Sequence, residues 1–207
     1  MMKSRPRKRL TLDQRRAKIL AAATRLFARE GYEGASMSAI ASAAGTTKPV
    51  LYDHFNSKDA LFETLLCSIR DDLLAQGRVI GRSAASDGAR FCAAVDAFFA
   101  FVEAQPDEAR ILLIVPQGDP AAAKLSREVQ RGATSGIAEL LKPRFPGGGG
   151  WEAEAAGECL KEALHTLAKW WLGHPGPPRA AIVELVVKMC WTGLKEVGDE
   201  GRRHALS

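Results

Sequence analysis

Apolar residues recur along this chain at the helical spacing i, i+3, i+4, i+7, and almost nowhere in the alternating pattern of a strand. Ile19, Ala22, Ala23, Leu26 and Phe27 make one such stripe, closed by Gly31-Tyr32. Met37, Ile40, Ala41 and Ala44 make a second, shorter one with Ser36 as its cap, and its alanines let another helix come close. Gly45 then stands where a helix ends in a left-handed residue, a conformation that costs glycine nothing, so the chain turns. Thr47 is placed to cap a further helix. Pro49 falls in its first turn, where a missing N–H removes no intrahelical bond. Leu51 and Phe55 are i, i+4 partners facing inward, which leaves Lys48, Pro49, Val50, Tyr52 and His54 on the outer surface and edges. Two short helices around a glycine turn have the shape of a helix-turn-helix, an element that enters a DNA major groove.

Beyond this head the chain reads as further helices with breakers between them. Ser57 caps a long helix through Ala60, Leu61, Leu65, Ile69 and Leu73 that links the head to a larger body. Gly81 to Gly88 reads as a small-residue loop. Asp87 to Gln105 carries Phe91, Val95, Phe98, Phe99 and Val102, and a segment from Pro106 runs through Ile111 to Val115 and stops at Pro116. A helix from Pro120 to Leu141 ends at Pro143, before Pro146 and the linker Gly147 to Gly150. Two final helices, Trp151 to Leu172 and Arg179 to Gly198, flank Gly173-His174-Pro175-Gly176-Pro177-Pro178. The expected fold is all-α, with a DNA-binding domain over residues 1–58 and a helical effector-binding and dimerisation domain over 59–207.

Charge sharpens the division. Residues 1–58 hold 12 Lys and Arg against 4 acids, a net of +8 in a chain of net +5, so the body carries −3. A basic head on a mildly acidic body suits a polyanion bound at one end, because phosphate contacts release counterions. Lys3 to Arg9 alone could be a solubilising tail; beside a helix-turn-helix they extend its basic surface. Cys67, Cys92, Cys159 and Cys190 are single and widely spaced, without a CxxC pair or a Cys/His cluster, which predicts no disulfide framework, no metal site and a reducing cytoplasm. The charged N-terminus lacks the apolar core of a signal peptide, and no apolar run approaches the roughly 20 residues of a membrane span.

Met37-Ser38-Ala39-Ile40-Ala41, Ala44-Gly45-Thr46-Thr47, Leu51-Tyr52-Asp53-His54-Phe55 and Ser57-Lys58 together resemble the DNA-binding domain of the bacterial TetR-type repressors. The resemblance covers the first quarter of the chain; beyond Arg70 it is architectural. It implies a dimeric repressor, released from a pseudo-palindromic operator by a small-molecule effector, with no catalytic residues and no cofactor. Its partners would be double-stranded DNA, an apolar or aromatic effector and a second copy of the chain. On it, Tyr52 and His54 touch the phosphate backbone, joined by Lys58 at the next helix N-terminus. Thr47 and Lys48 are candidates for base edges or phosphate and Val50 for a thymine methyl, with Pro49 and Ser36 on the same face. Tyr52 could instead pack in the core. Asp53 departs from what a groove-facing position wants, since it repels phosphate unless it pairs with Lys48 or an arginine, or accepts from a cytosine amine.

In the body, Phe98, Phe101, Leu113 and Trp170 are candidates for effector contact, with His165 and Arg110 as polar anchors, although an aromatic stripe at helical spacing also fits plain core. Phe98 and Phe99 are adjacent and cannot point the same way. The resemblance implies that the last two long helices pack against their copies in a dimer. Leu160, Leu164, Leu167 and Trp171 on one, and Val183, Val187, Cys190 and Leu194 on the other, are its candidate interface, or else each monomer's own core. Glu162-x-x-His165 is the one fragment that hints at an iron-binding enzyme, and a di-iron bundle needs that motif twice. A non-specific DNA-packaging protein would leave the apolar body unexplained.

Overall fold

The computed structural model describes residues 11–83, 86–113, 116, 118–142, 145 and 150–192. The basic arm Lys3 to Arg9, Val115, Gly147 to Gly149 and Leu194 lie outside the described residues. The elements are α1 (Leu12–Gly34), α2 (Met37–Ala43), α3 (Lys48–Tyr52), α4 (Lys58–Ser83), α5 (Asp87–Ala104), α6 (Pro106–Leu113), α7 (Pro120–Leu141), α8 (Trp151–Gly173) and α9 (Arg179–Val186), and α9 widens into a π-helical turn over Val187–Trp191. No strand occurs among the described residues, and the chain is all-α.

Helix α1 opens on a capping box in which the Thr11 hydroxyl accepts from the Gln14 N–H at 3.2 Å and the Gln14 side chain accepts from the Thr11 N–H at 3.1 Å. Its stripe is buried from Ile19 to Phe27, and it kinks at Gly31, whose φ of 74° is open to glycine. Helices α2 and α3 close the head with Met37, Ile40, Ala41, Leu51 and Phe55 buried. The Phe62 ring, in the second turn of α4, packs edge-on against Phe27 and Tyr32 at 5.2 and 4.9 Å, so the core of the head reaches past residue 58. Burying each such side chain stabilises the head by about 1.5–3 kcal/mol.

In the body α7 packs along α8 and against α4, while α9 lies on α5. Helices α7 and α8 come close at Gly157, where a Cβ would stand 3.1 Å from the Thr134 carbonyl. Two expectations from the sequence are corrected. The loop expected over Gly81 to Gly88 is much shorter, because nothing between Gly81 and Ser83 breaks α4 and Ser86 already caps α5, its hydroxyl accepting from the Ala89 N–H at 3.2 Å. The last helix is not uniformly α: after Val186 it takes the wider π form, and residues 193–207 lie outside the described set.

Candidate DNA-reading face and effector cavity

Ser36 caps α2 through a bond from the Ala39 N–H at 3.1 Å, and Gly45 turns the chain at φ 64°. The N–H of Thr46 bonds back to the Ala41 carbonyl at 3.0 Å, which closes the helix end. This fixes α3 with Thr47, Lys48 and Pro49 exposed, Val50 half-buried, and Leu51 wholly buried beneath them. Thr47 occupies the cap position, but its hydroxyl makes no capping bond, contrary to expectation; Pro49 in the first turn removes one of the donors it would have served. Tyr52 is 40% exposed, which rules out the core role, and Lys48 Nζ lies 5.9 Å from the centre of its ring. Asp53 is exposed and has no ion pair among the described residues, so Lys48 does not neutralise it. His54 is half-buried at the end of the turn.

Lys58 differs from its expected place. Its ammonium donates to the Tyr32 carbonyl at 2.9 Å and stands 4.2 Å over the Tyr32 ring, so its charge closes the kinked end of α1. The Tyr32 hydroxyl donates to Asp59 and lies 3.4 Å from Oδ2 of Asp119, the cap of α7. Burial, then the Asp59 bond, push that phenol far above its ordinary pKa, so it stays a donor. Glu33 accepts from the Gly118 N–H at 2.8 Å. The end of α1 is thereby tied to the start of α7.

Helices α4, α5, α7 and α8 line a half-open cavity of about 640 Å³. Its wall is mostly apolar, with Leu73, Ile80, Phe91, Val95, Phe98, Leu112, Val129, Ile137, Leu140, Leu160, Leu164 and Trp191. Of the six residues put forward for effector contact, Phe98 and His165 line it. Phe101 and Leu113 are buried elsewhere in the core, Trp170 lies on the outer surface, and Arg110 pairs with Asp107 at 3.4 Å away from the cavity. Phe98 and Phe99 do diverge: Phe98 faces the cavity and Phe99 packs on Trp171. The His165 ring stacks on Phe98 at 6.0 Å, and burial pulls its pKa down to about 4, so it is neutral at pH 7.

Cations surround the cavity unequally. The Lys161 side chain is only 5% exposed, and its ammonium is held by Glu158 at 2.8 Å and Glu162 at 3.2 Å, so it gives the wall its methylenes. Bonds from Lys161 and then Thr134 hold the Glu158 carboxyl below its usual range. Arg70 pairs with Asp71, and Arg90 with Asp87. Arg78 and Arg82, both exposed near the end of α4, have no ion pair among the described residues. Sequence reasoning missed these arginines because it read α4 as a linker and gave it no wall to supply; Phe91 entered only as one of the aromatic residues of its helix, and Trp191 was not singled out.

The candidate interface stripe divides between its two alternatives, with Leu167 and Cys190 on the outer groove and the rest of its described members turned inward or half-buried. Leu160 and Leu164 face the cavity, while Trp171 and Val183 are buried in the core. The exposed apolar face of α8 and α9 is the neighbouring one, a shallow groove of Ala163, Leu167, Trp170, Leu185, Met189 and Cys190, with Leu185 46% and Met189 72% exposed. Val187 is half-buried beside it. Glu162 lies on this outer groove and His165 lines the cavity, and among the described residues no three metal-ligating side chains come together around them.

Residues 19–65 match the family described as bacterial regulatory proteins, tetR family, and residues 89–192 match the tetracyclin repressor-like C-terminal domain. The chain is 32% identical to the HTH-type transcriptional activator FasR of Mycolicibacterium smegmatis over 191 residues, 91% of this chain and 87% of that protein. Its fold resembles the fatty acid degradation regulator FadR from Bacillus halodurans (22% identity, TM-score 0.74, 84% of this chain and 96% of that one). It equally resembles the transcriptional regulator FadR from Bacillus subtilis in complex with stearoyl-CoA (16% identity, TM-score 0.74, with the same coverage). With both halves of the chain matched and the mycobacterial relative spanning nearly all of it, this protein belongs to the TetR family of DNA-binding transcriptional regulators.

Proposed function

We propose that this protein is a dimeric cytoplasmic repressor whose hold on a pseudo-palindromic operator is released by a long-chain fatty acyl group carried on a phosphate-bearing head, as in an acyl-CoA thioester. The observation that carries the reading is the half-open apolar cavity of about 640 Å³ with Arg78 and Arg82 on its lining. Its volume falls within the roughly 300–1,000 Å³ of ligand sites. An acyl chain needs an apolar wall, and guanidinium groups free of carboxylate partners suit phosphate. The stearoyl-CoA held by the Bacillus subtilis FadR supports the same ligand class.

The head supports a groove-reading role for Thr47, Lys48 and Val50, with Tyr52 and His54 at the backbone. The outer groove of α8 and α9 would seat a second copy, which brings two α3 helices about one DNA turn, ~34 Å, apart. Release follows if the acyl group binds better to a form whose heads are misplaced for DNA. The sign of transcription is set by where the operator lies, so an activator such as the mycobacterial relative is compatible with the same geometry.

The test is to select an operator from a random DNA pool and follow its binding by anisotropy at fixed salt against scrambled DNA. Stearoyl-CoA, stearate and CoA alone are then added. Tight binding to a palindrome that stearoyl-CoA releases and CoA does not is the expected result. Indifference to stearoyl-CoA and stearate alike overturns the acyl reading, and equal binding to scrambled DNA overturns specific regulation.

A further inference from the structure

We infer that Trp191, recessed against Gly88, sets the longest acyl group the cavity accepts; this rests on the acyl reading of the cavity proposed above. Trp191 lines the cavity from the end of the π-helical turn. Widening the helix there changes the register, so that Trp191 faces α5 and the cavity while Cys190 lines the outer groove and Met189 stays exposed. Such turns concentrate at functional sites.

Gly88 sits in the first turn of α5 with no left-handed backbone to justify a glycine. Space justifies it instead. A Cβ at this position would stand 3.1 Å from Cζ2 and 3.3 Å from Cε2 of the Trp191 indole. Phe91, buried and 5.3 Å from the same indole, closes the flank along α5. A Cβ at 88 therefore makes the indole give by a few tenths of an ångström, and the cavity that Trp191 lines is space it can give into. Glycine at 88 lets the ring draw back, and the volume it vacates becomes room for ligand.

Each methylene the cavity accepts raises affinity about fourfold, and the first one it rejects ends the rise. The experiment is isothermal titration of the full chain with saturated acyl-CoA thioesters from octanoyl to eicosanoyl, on wild type, Trp191→Ala, Trp191→Phe and Gly88→Ala. The expected result is a break in the wild-type series that moves to longer chains in Trp191→Ala and less far in Trp191→Phe, while Gly88→Ala weakens the longest accepted thioester and spares the shorter ones. Changes selective for length cannot come from a folding defect, which weakens every length alike. A break at the same length in all four proteins, or uniform weakening, overturns the role of Trp191 and leaves the acyl reading standing. A wild type that binds no thioester of any length overturns both.

Discussion

The hydroxyl of Tyr32 lies 3.4 Å from Oδ2 of Asp119, and the other oxygen of that carboxylate accepts from the N–H groups of Ala121 and Ala122 at 2.9 and 3.1 Å. One carboxylate thus touches the kinked end of the first head helix and caps the helix that forms a cavity wall. Tyr32→Phe keeps the ring against Phe27 and Phe62 and deletes only the hydroxyl; it should cost about 1–3 kcal/mol, since the lost bonds run to carboxylates. Asp119→Ala should cost about 1–2 kcal/mol as a lost helix cap. Chemical denaturation of both single variants and the double variant measures the coupling. Both should also blunt effector-driven release of the operator, and an unchanged release curve would show that the two domains communicate by another route.

Gly45→Ala tests the turn by itself. Nothing lies within 4 Å of a Cβ built there, so no contact is lost or strained, and the whole effect comes from φ at 64°. The expected cost is about 1–2 kcal/mol, read as a lower thermal midpoint. Operator affinity should fall further than the melting point suggests, because the same residue aims α3.

Lys48 separates two modes of contact. If its ammonium meets a phosphate, Lys48→Met should weaken binding to all sequences evenly and reduce the slope of log affinity against log salt by about 0.9. If it reads a guanine edge, the loss should be concentrated at one operator position, at about 1–3 kcal/mol. Binding isotherms at several salt concentrations, on the operator and its single-base variants, distinguish them. Lys58→Met should instead show in stability, because its charge serves Tyr32.

The head was legible because each of its signals is local. A cap at Ser36, a left-handed glycine at Gly45 and a proline in the first turn of α3 constrain only their neighbours, and the chain obeys them. The body was legible as helices but not as faces. Helix α8 has two apolar sides about a quarter-turn apart, and periodicity marks the longer stripe, Leu160, Leu164, Leu167 and Trp171, without saying whether it looks in or out. Three of the four look in. Trp191 could not be placed at all, because a π-helical turn breaks the spacing on which the reading depends.

The outer groove of α8 and α9 makes a dimer prediction that the inward stripe cannot. Leu185→Arg and Met189→Asp alter exposed side chains, so each monomer should melt within about 0.5 kcal/mol of wild type. In the proposed dimer the same charges would be buried without partners, and sedimentation should show monomers with weak operator binding. Leu164→Ser should do the reverse: it leaves the dimer intact and lowers the affinity of the cavity for its ligand. A dimer that survives both charged substitutions would place the interface elsewhere.

His165 gives the fold a pH dependence of definite sign. Its folded pKa is drawn down to about 4 from an ordinary 6.5, because the buried ring beside Phe98 cannot be solvated as a cation. Above pH 6.5 the folded and unfolded chains both carry it neutral, and the full stability is present. As pH falls from 6.5 toward 4 the unfolded chain binds a proton that the fold refuses, and about 3 kcal/mol is lost across that window. Below it both states are protonated and this contribution stops changing. Urea denaturation midpoints taken through the window should fall for wild type and fall less for His165→Gln. An acyl group filling the cavity would remove water from the ring and disfavour the cation further, so ligand affinity should hold through that window and weaken only as pH falls through about 4, where the free fold takes up the proton, and it should stay flatter in the variant. If the two proteins lose stability in parallel, the acid sensitivity belongs to other groups and His165 is solvated in the fold.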